Sequence, residues 1–292
     1  MMTCKKWTVV FGIVASIAAT SYGEWTWETV DYPGAANTQL LGIDNYKYIL
    51  SNNNSLYSYP NGRWSSTPWS MYEGMRYQDF SYTVIGGDYL GGYCTVYPYE
   101  GESYIMAFVD KDMEGLWDAG DEVIAIGSDG KFIYNYGVNT FINDGTTSTI
   151  LPNYNGRSSS IQYSGLDGDR IVGAYTVADG TTYGFIYDGT NWTELGYPGA
   201  QFTYIDGISG NNIVGFYTDD TGYHNFLFDG SQWTSFDYPG ASHMVITGIN
   251  GDTIVGWYTL DGHTHGLVLT IPEPASLSLL AIGGLLVARR KR

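Results

Sequence analysis

Gly207 to Ala241 reads GISGNNIVGFYTDDTGYHNFLFDGSQWTSFDYPGA. With Phe202 to Asp206 just before it, the stretch holds four short runs rich in β-branched and aromatic residues. The other three are Ile213 to Tyr217, His224 to Phe228 and Trp233 to Phe236, and Gly, Asn, Asp or Pro bounds each one. Such runs predict four strands in about 40 residues, joined by tight turns. Asn211-Asn212 and Asp229-Gly230 stand where a hairpin calls for positive φ. Nothing in the stretch keeps a helical spacing.

The sentence is repeated along the chain. Gly165 opens GLDGDRIVGAYTVADGTTYGFIYDGTNWTELGYPGA and Gly248 opens GINGDTIVGWYTLDGHTHGLVL, at spacings of 42 and 41 residues. Fainter copies start at Gly42, Gly86 and Gly127, so six starts stand 38 to 44 residues apart. Four-stranded units at this period predict a β-propeller. The alternatives for such an array are an open β-solenoid or a sandwich.

The ends of the array say how it closes. Strong units finish with a Trp-containing strand and Tyr-Pro-Gly-Ala, at Trp192 to Ala200 and Trp233 to Ala241, and the Gly248 unit lacks this strand. The missing piece stands at the other end of the chain, as WETVDYPGA from Trp27 to Ala35. Borrowing it would leave no unpaired edge, which an all-β protein must avoid. The expected fold is therefore all-β: a six-bladed propeller of four-stranded repeats of about 41 residues over 24–270, its last blade completed by the N-terminal strand.

The units at Gly207 to Tyr217, His224 to Phe228 and Asp237 to Ala241, and again at Gly248 to Tyr258 and His265 to Leu267, resemble the extracellular HAF repeats. The resemblance is close over 160–270 and patchy before. It implies export and assigns no common reaction.

Composition narrows the partners. The formal charge is −17, and six of the 13 basic residues (Lys5, Lys6, Arg289, Arg290, Lys291 and Arg292) lie at the two ends. A body with seven basic residues repels nucleic acid and anionic lipid; divalent cations and neutral sugars suit it better. Residues 1–23 carry Lys5-Lys6, the apolar run Trp7 to Ala19 and small residues to Gly23, the pattern of a cleaved signal peptide. Cleavage there leaves Cys94 as the lone thiol, so no intramolecular disulfide is expected.

One constellation carries metal chemistry. Ala107 to Ile126 reads AFVDKDMEGLWDAGDEVIAI. Asp110, Asp112, Glu114, the carbonyl of Leu116, Asp118 and Asp121 follow the order in which a calcium loop presents oxygen ligands, with Gly115 at the sharp turn and Glu122 competing for the last place. Carboxylates this close repel one another unless a cation sits among them. The expectation is a structural Ca2+ on an enlarged hairpin between strands three and four of the second unit; the alternative is a plain acidic hairpin tip.

Other candidates are weaker. His224 and His265 recur at one repeat position, which points to a reason internal to the repeat, and His243 and His263 have no zinc pattern beside them. Trp27, Trp64, Trp192 and Trp233 recur on the last strand of their units, where packing outweighs sugar stacking. No nucleophile elbow, zincin helix or phosphate loop is present.

Residues 271–292 read IPEPASLSLLAIGGLLVARRKR. Pro272, Glu273 and Pro274, the apolar segment 275–288 and the basic cluster Arg289, Arg290, Lys291 and Arg292 resemble the PEP-CTERM sorting signal. The resemblance implies processing by an exosortase and transient anchoring in the inner membrane of a bacterium that makes exopolysaccharide. Fourteen apolar residues as a helix span only about 21 Å of a ~30 Å hydrocarbon core, so the anchor is marginal. The basic end favours a cytoplasmic C-terminus.

The functional expectation is a non-enzymatic exported scaffold on the cell surface or in the exopolysaccharide matrix. The alternative is a lectin-like carbohydrate-binding propeller, and behind it a polysaccharide hydrolase or lyase with two facing carboxylates.

Overall fold

The computed structural model describes residues 25–31, 35–44, 47–52, 55–58, 65–66, 76–86, 89–97, 104–111, 116–118, 122–153 and 160–272. Among them are 24 strands and no helix. The fold is all-β. The expected signal peptide at 1–23 and sorting helix at 275–288 lie outside the described residues.

The strands form antiparallel meanders, each running in chain order. Unit one holds Gln39–Asp44, Lys47–Asn52, Ser55–Ser58 and Ser65–Ser66. Unit two holds Arg76–Gly86, Tyr89–Tyr97, Tyr104–Lys111 and Leu116–Asp118. Unit three holds Glu122–Ile126, Phe132–Tyr136, Asn139–Asn143 and Ser148–Ile150. Unit four is Ser160–Asp167, Arg170–Thr176, Thr182–Tyr187 and Trp192–Leu195; unit five is Phe202–Ser209, Asn212–Asp219, Gly222–Phe228 and Trp233–Phe236. A single parallel bridge, Thr182 to Phe202, joins these two. Unit six holds His243–Asn250, Thr253–Leu260 and His263–Thr270, and its fourth strand is the N-terminal Thr26–Thr29.

First strands sit side by side. Each lies against the first strand of the next unit, and His243–Asn250 lies against Gln39–Asp44. Every first strand also carries a register shift at the same place: Leu40/Gly42, Tyr82/Val84, Val123/Ala125, Tyr163/Gly165, Ile205/Gly207 and Ile246/Gly248. These shifts recur every 40 to 42 residues, a tighter period than the glycines alone suggest. The equivalents of Gly165 in units two and three are therefore Val84 and Ala125, two residues before the expected Gly86 and Gly127.

Glycine is used where neighbours crowd. A Cβ on Gly165 would meet the Gly207 Cα at 3.3 Å, and one on Gly42 would meet Ile85 Cγ2 at 2.9 Å. In the second strands the squeeze is harder. At Gly173, Gly215 and Gly256 a Cβ would lie 2.0 Å from the carbonyl oxygens of Gln162, Tyr204 and Val245. The first hairpin of unit five turns on Gly210, with φ of 57°, rather than on Asn211-Asn212.

The Tyr-Pro-Gly-Ala signature now has a physical account. Ala200 N–H donates to Tyr197 O and Ala241 N–H to Tyr238 O, with Gly199 and Gly240 at φ near +80°. That is a type II turn, with Pro presetting the second position and Gly supplying positive φ at the third. Each turn presents its tyrosine to the next unit. Tyr197 stacks on Tyr217 at 3.6 Å, and Tyr238 on Tyr258 at 3.9 Å. Between the sheets lie Phe185, Phe226 and Leu267, all at one repeat position and fully buried. Truncating such a phenylalanine to alanine costs about 3–5 kcal/mol.

Candidate functional site

The three strong units are nearly identical at the residues just named and different on one face. At the second-strand position preceding the recurrent tyrosine stand Ala174, Phe216 and Trp257. Their first-strand partners are Gln162, Tyr204 and Val245. The bulged residues also differ: Leu41, Ile124, Ser164, Asp206 and Thr247. All five line one cavity of about 910 Å3, because each bulge turns its extra side chain out of the ladder.

The wall of that cavity is chemically mixed. Tyr204 and Phe216 stack at 4.8 Å with 14° between planes, and Phe216 stacks in turn on Tyr223 at 4.7 Å. The same cavity is lined by the amides Gln39, Gln162 and Asn135 and the carboxylates Glu122 and Asp206. Among the described lining residues none is basic. Asn135 Nδ2 donates to Glu122 Oε2 at 3.0 Å, and Thr140 Oγ1 to Asn135 Oδ1 at 2.8 Å, so this edge is pre-oriented.

Asp206 is the outlier of the bulge series. Ser164 Oγ donates to Ile205 O and Thr247 Oγ1 donates to Leu40 O at 2.7 Å, each clipping its unit to the next. An ionised carboxylate has no proton for such a bond. Burial pushes the Asp206 carboxyl up from 3.8 to about 7, because the charged form loses water without gaining a cation. Burial, and then the Asp206 charge, also raise the Tyr223 phenol.

The recurrent histidines are clasps. His224 Nδ1 donates to Asp237 Oδ2 at 3.0 Å and His265 Nδ1 to Asp31 Oδ2 at 2.8 Å, tying third strand to fourth in units five and six. In unit four both partners are replaced together. Tyr183 stands for the histidine and Gly196 for the aspartate, and a Cβ on Gly196 would meet the Tyr183 ring at 3.3 Å. Thr221 Oγ1 donates to Asp219 Oδ1 at 2.6 Å and lies 2.8 Å from His224 Nε2. The tryptophans pack. Trp192 stacks on Tyr187 at 4.4 Å, Trp233 lies 4.9 Å from Phe226, and Trp27 meets Tyr238 edge-on at 5.4 Å. Trp64 lies outside the described residues.

Of the expected calcium ligands, Asp112, Glu114 and Asp121 lie outside the described residues. Asp110 and Leu116 face each other in register across the third and fourth strands of unit two, and Asp118 pairs with Phe108. Glu122 begins unit three, where its carboxylate is the acceptor for Asn135. Among the described residues no three His, Cys, Asp or Glu side chains cluster as a metal site.

At the C-terminal end Ile271 N–H donates to Asp252 O at 2.7 Å and its side chain packs against the core of units five and six, and Pro272 is buried. Glu273, Pro274, Arg289, Arg290, Lys291 and Arg292 lie outside the described residues. Residues 270–292 match the PEP-CTERM protein-sorting motif. The sorting motif implies recognition by an exosortase, export, and processing at the membrane on the way to the cell surface. Among the described residues no helix is long and apolar enough to cross a membrane.

No curated protein matches the chain. Among solved structures, a chain of the mitotic checkpoint complex is 12% identical at a TM-score of 0.42, over 90% of this chain and 98% of that one. YCF48, solved bound to D1 peptide, is 11% identical at 0.40, over 88% and 98%. Trypanosoma rangeli sialidase in complex with sialic acid is 9% identical at 0.36, over 87% of this chain and 53% of the sialidase. Likeness at this level decides neither fold nor function.

Proposed function

We propose that the chain is a non-enzymatic scaffold, exported, cut by an exosortase, and displayed on the cell surface or in the exopolysaccharide matrix. The observation that carries the reading is the sorting motif set directly after the last strand of unit six. Its body is a six-bladed propeller of HAF-type repeats, closed by the N-terminal strand. Supporting this are the fourth-strand position of Thr26–Thr29 and the contact of His243–Asn250 with Gln39–Asp44. The recurrent residues are spent on turns, clasps and stacks, as a display framework requires.

The test is replacement of Pro272, Glu273 and Pro274 by alanine, followed by fractionation. The protein should then accumulate uncut in the membrane fraction, and release unchanged from wild type would contradict exosortase sorting.

A calcium ion ordering the loop between Tyr104–Lys111 and Leu116–Asp118 belongs to the same proposal. Its ligands are Asp110, Asp112, Glu114, the Leu116 carbonyl, Asp118 and Asp121, with Glu122 held back by Asn135. Calorimetric titration should give one ion per chain, lost in Asp110→Ala.

A further inference from the structure

The scaffold reading leaves the cavity among the first strands without a task. We infer that it is a binding site for an uncharged saccharide, and this goes beyond that reading. Residues shared by the units hold the fold, and the cavity face is where the units part company. On the cavity wall Ala174 and Phe216 share one repeat position and Gln162 and Tyr204 another, while the residues flanking Ala174 and Phe216 stay constant as Gly173 and Gly215 and as Tyr175 and Tyr217. A face made different unit by unit is an asymmetric surface, and an asymmetric ligand is what such a surface fits.

The chemistry selects the ligand class. Tyr204 is the inner ring of the Tyr204, Phe216, Tyr223 stack, and among the described residues it stacks on one ring only. Its position at the cavity wall offers an aromatic surface for the C–H face of a pyranose. On the same wall, Gln39 and Gln162 present both donors and acceptors, and Glu122 and Asp206 present carboxyl oxygens, the mix that vicinal hydroxyls require. Asp206, whose carboxyl is pushed up to about 7 by burial, adds a donor when it carries its proton.

Size and charge set the limits. About 910 Å3 is the scale of a ligand pocket and holds a disaccharide. With two carboxylates and no described lysine or arginine in the wall, a uronate or phosphate finds no counter-charge. The site is separate from the recurrent tryptophans, whose ring faces are engaged by Tyr187, Phe226 and Phe228.

Saturation-transfer NMR on the full chain tests this, with cellobiose, laminaribiose and N,N′-diacetylchitobiose as uncharged probes and digalacturonic acid as the charged one. The site predicts transfer to at least one uncharged probe, no transfer to digalacturonate, and an affinity loss of roughly tenfold or more in Tyr204→Ala and in Gln162→Ala. Two variants are used because Tyr204→Ala also removes a stacking partner; melting curves show which of them keeps the fold. Absence of transfer to all three uncharged probes overturns the inference. So does binding that both folded variants leave intact, or digalacturonate binding as tightly as the neutral sugars.

Discussion

His265 Nδ1 donates to Asp31 Oδ2 at 2.8 Å, although 234 residues separate them. The bond repeats, with the two ends of the chain, what His224 and Asp237 do within unit five. Gly266 N–H donates to the second oxygen of the same carboxylate at 3.2 Å, and Tyr258 Oη lies 2.8 Å from Thr29 Oγ1. The N-terminal strand thus occupies the fourth place of unit six with the polar contacts of that place reproduced.

Removing the Asp31 carboxylate leaves the Gly266 N–H and His265 without acceptors. Asp31→Ala should cost about 1–3 kcal/mol, read from thermal unfolding. Deleting 25–31 should do more, because it bares the edge of His263–Thr270. The deleted protein should elute as dimers or larger species in size-exclusion chromatography. A monomer of unchanged melting temperature would mean that the strand is an accessory.

Gly215 tests the bulge geometry. An alanine there places its Cβ 2.0 Å from Tyr204 O and 2.9 Å from Ile205 Cα, both backbone atoms that cannot move aside. Gly215→Ala should destabilise by about 2–4 kcal/mol, a melting-temperature fall on the order of 5–15 °C. A fall under about 2 °C would show that the first two strands of the unit are not so closely pressed.

Asp206 makes stability depend on pH. Its native value is raised from 3.8 to about 7, so the folded state holds a proton that the unfolded state has released between those values. The contribution is fully present below about 4, declines as pH rises, and is gone above about 7. Melting temperature measured from pH 4 to 8 should therefore fall more steeply in wild type than in Asp206→Asn, with the variant gaining most at pH 8. Parallel curves would contradict a desolvated carboxyl.

The burial of Pro272 and the bond from Ile271 to Asp252 hold the first residues of the sorting motif to the folded body. An enzyme cutting near Pro272 must first free this segment. A flexible spacer of about ten residues after Thr270 should speed processing, seen as a faster mobility shift on immunoblots. An unchanged rate would mean that the segment detaches without cost.

Much of the fold was legible because the residues that make turns and clasps recur. Asp237-Tyr-Pro-Gly-Ala241 fixes a type II turn, a tyrosine stack and a histidine clasp, so its echo at Asp31 identified the missing strand from letters alone. The glycines place the faint units two residues late because Val84 and Ala125 stand where the strong units have glycine. The sequence points to Asn211-Asn212 rather than Gly210 for the turn because all three tolerate positive φ, and the one-residue choice is made by strand register.

The cavity was not legible, and the reason is physical. Its residues come from strands of several units, and the five at bulges sit where one inserted residue reverses the in-out alternation, so a period-two pattern read straight through puts them on the wrong face. The units are recognisable by what recurs, whereas Ala174 and Phe216 matter by failing to recur. The sign available was that variation, at matching positions of otherwise similar units.

Intact-mass spectrometry of the protein recovered from washed cell surface, from medium and from cytoplasm tests the central claim most directly. The account predicts a chain that begins after residue 23 and lacks the apolar segment 275–288 and the basic cluster beyond it. Recovery of the full 292-residue chain, confined to the cytoplasm, would contradict it.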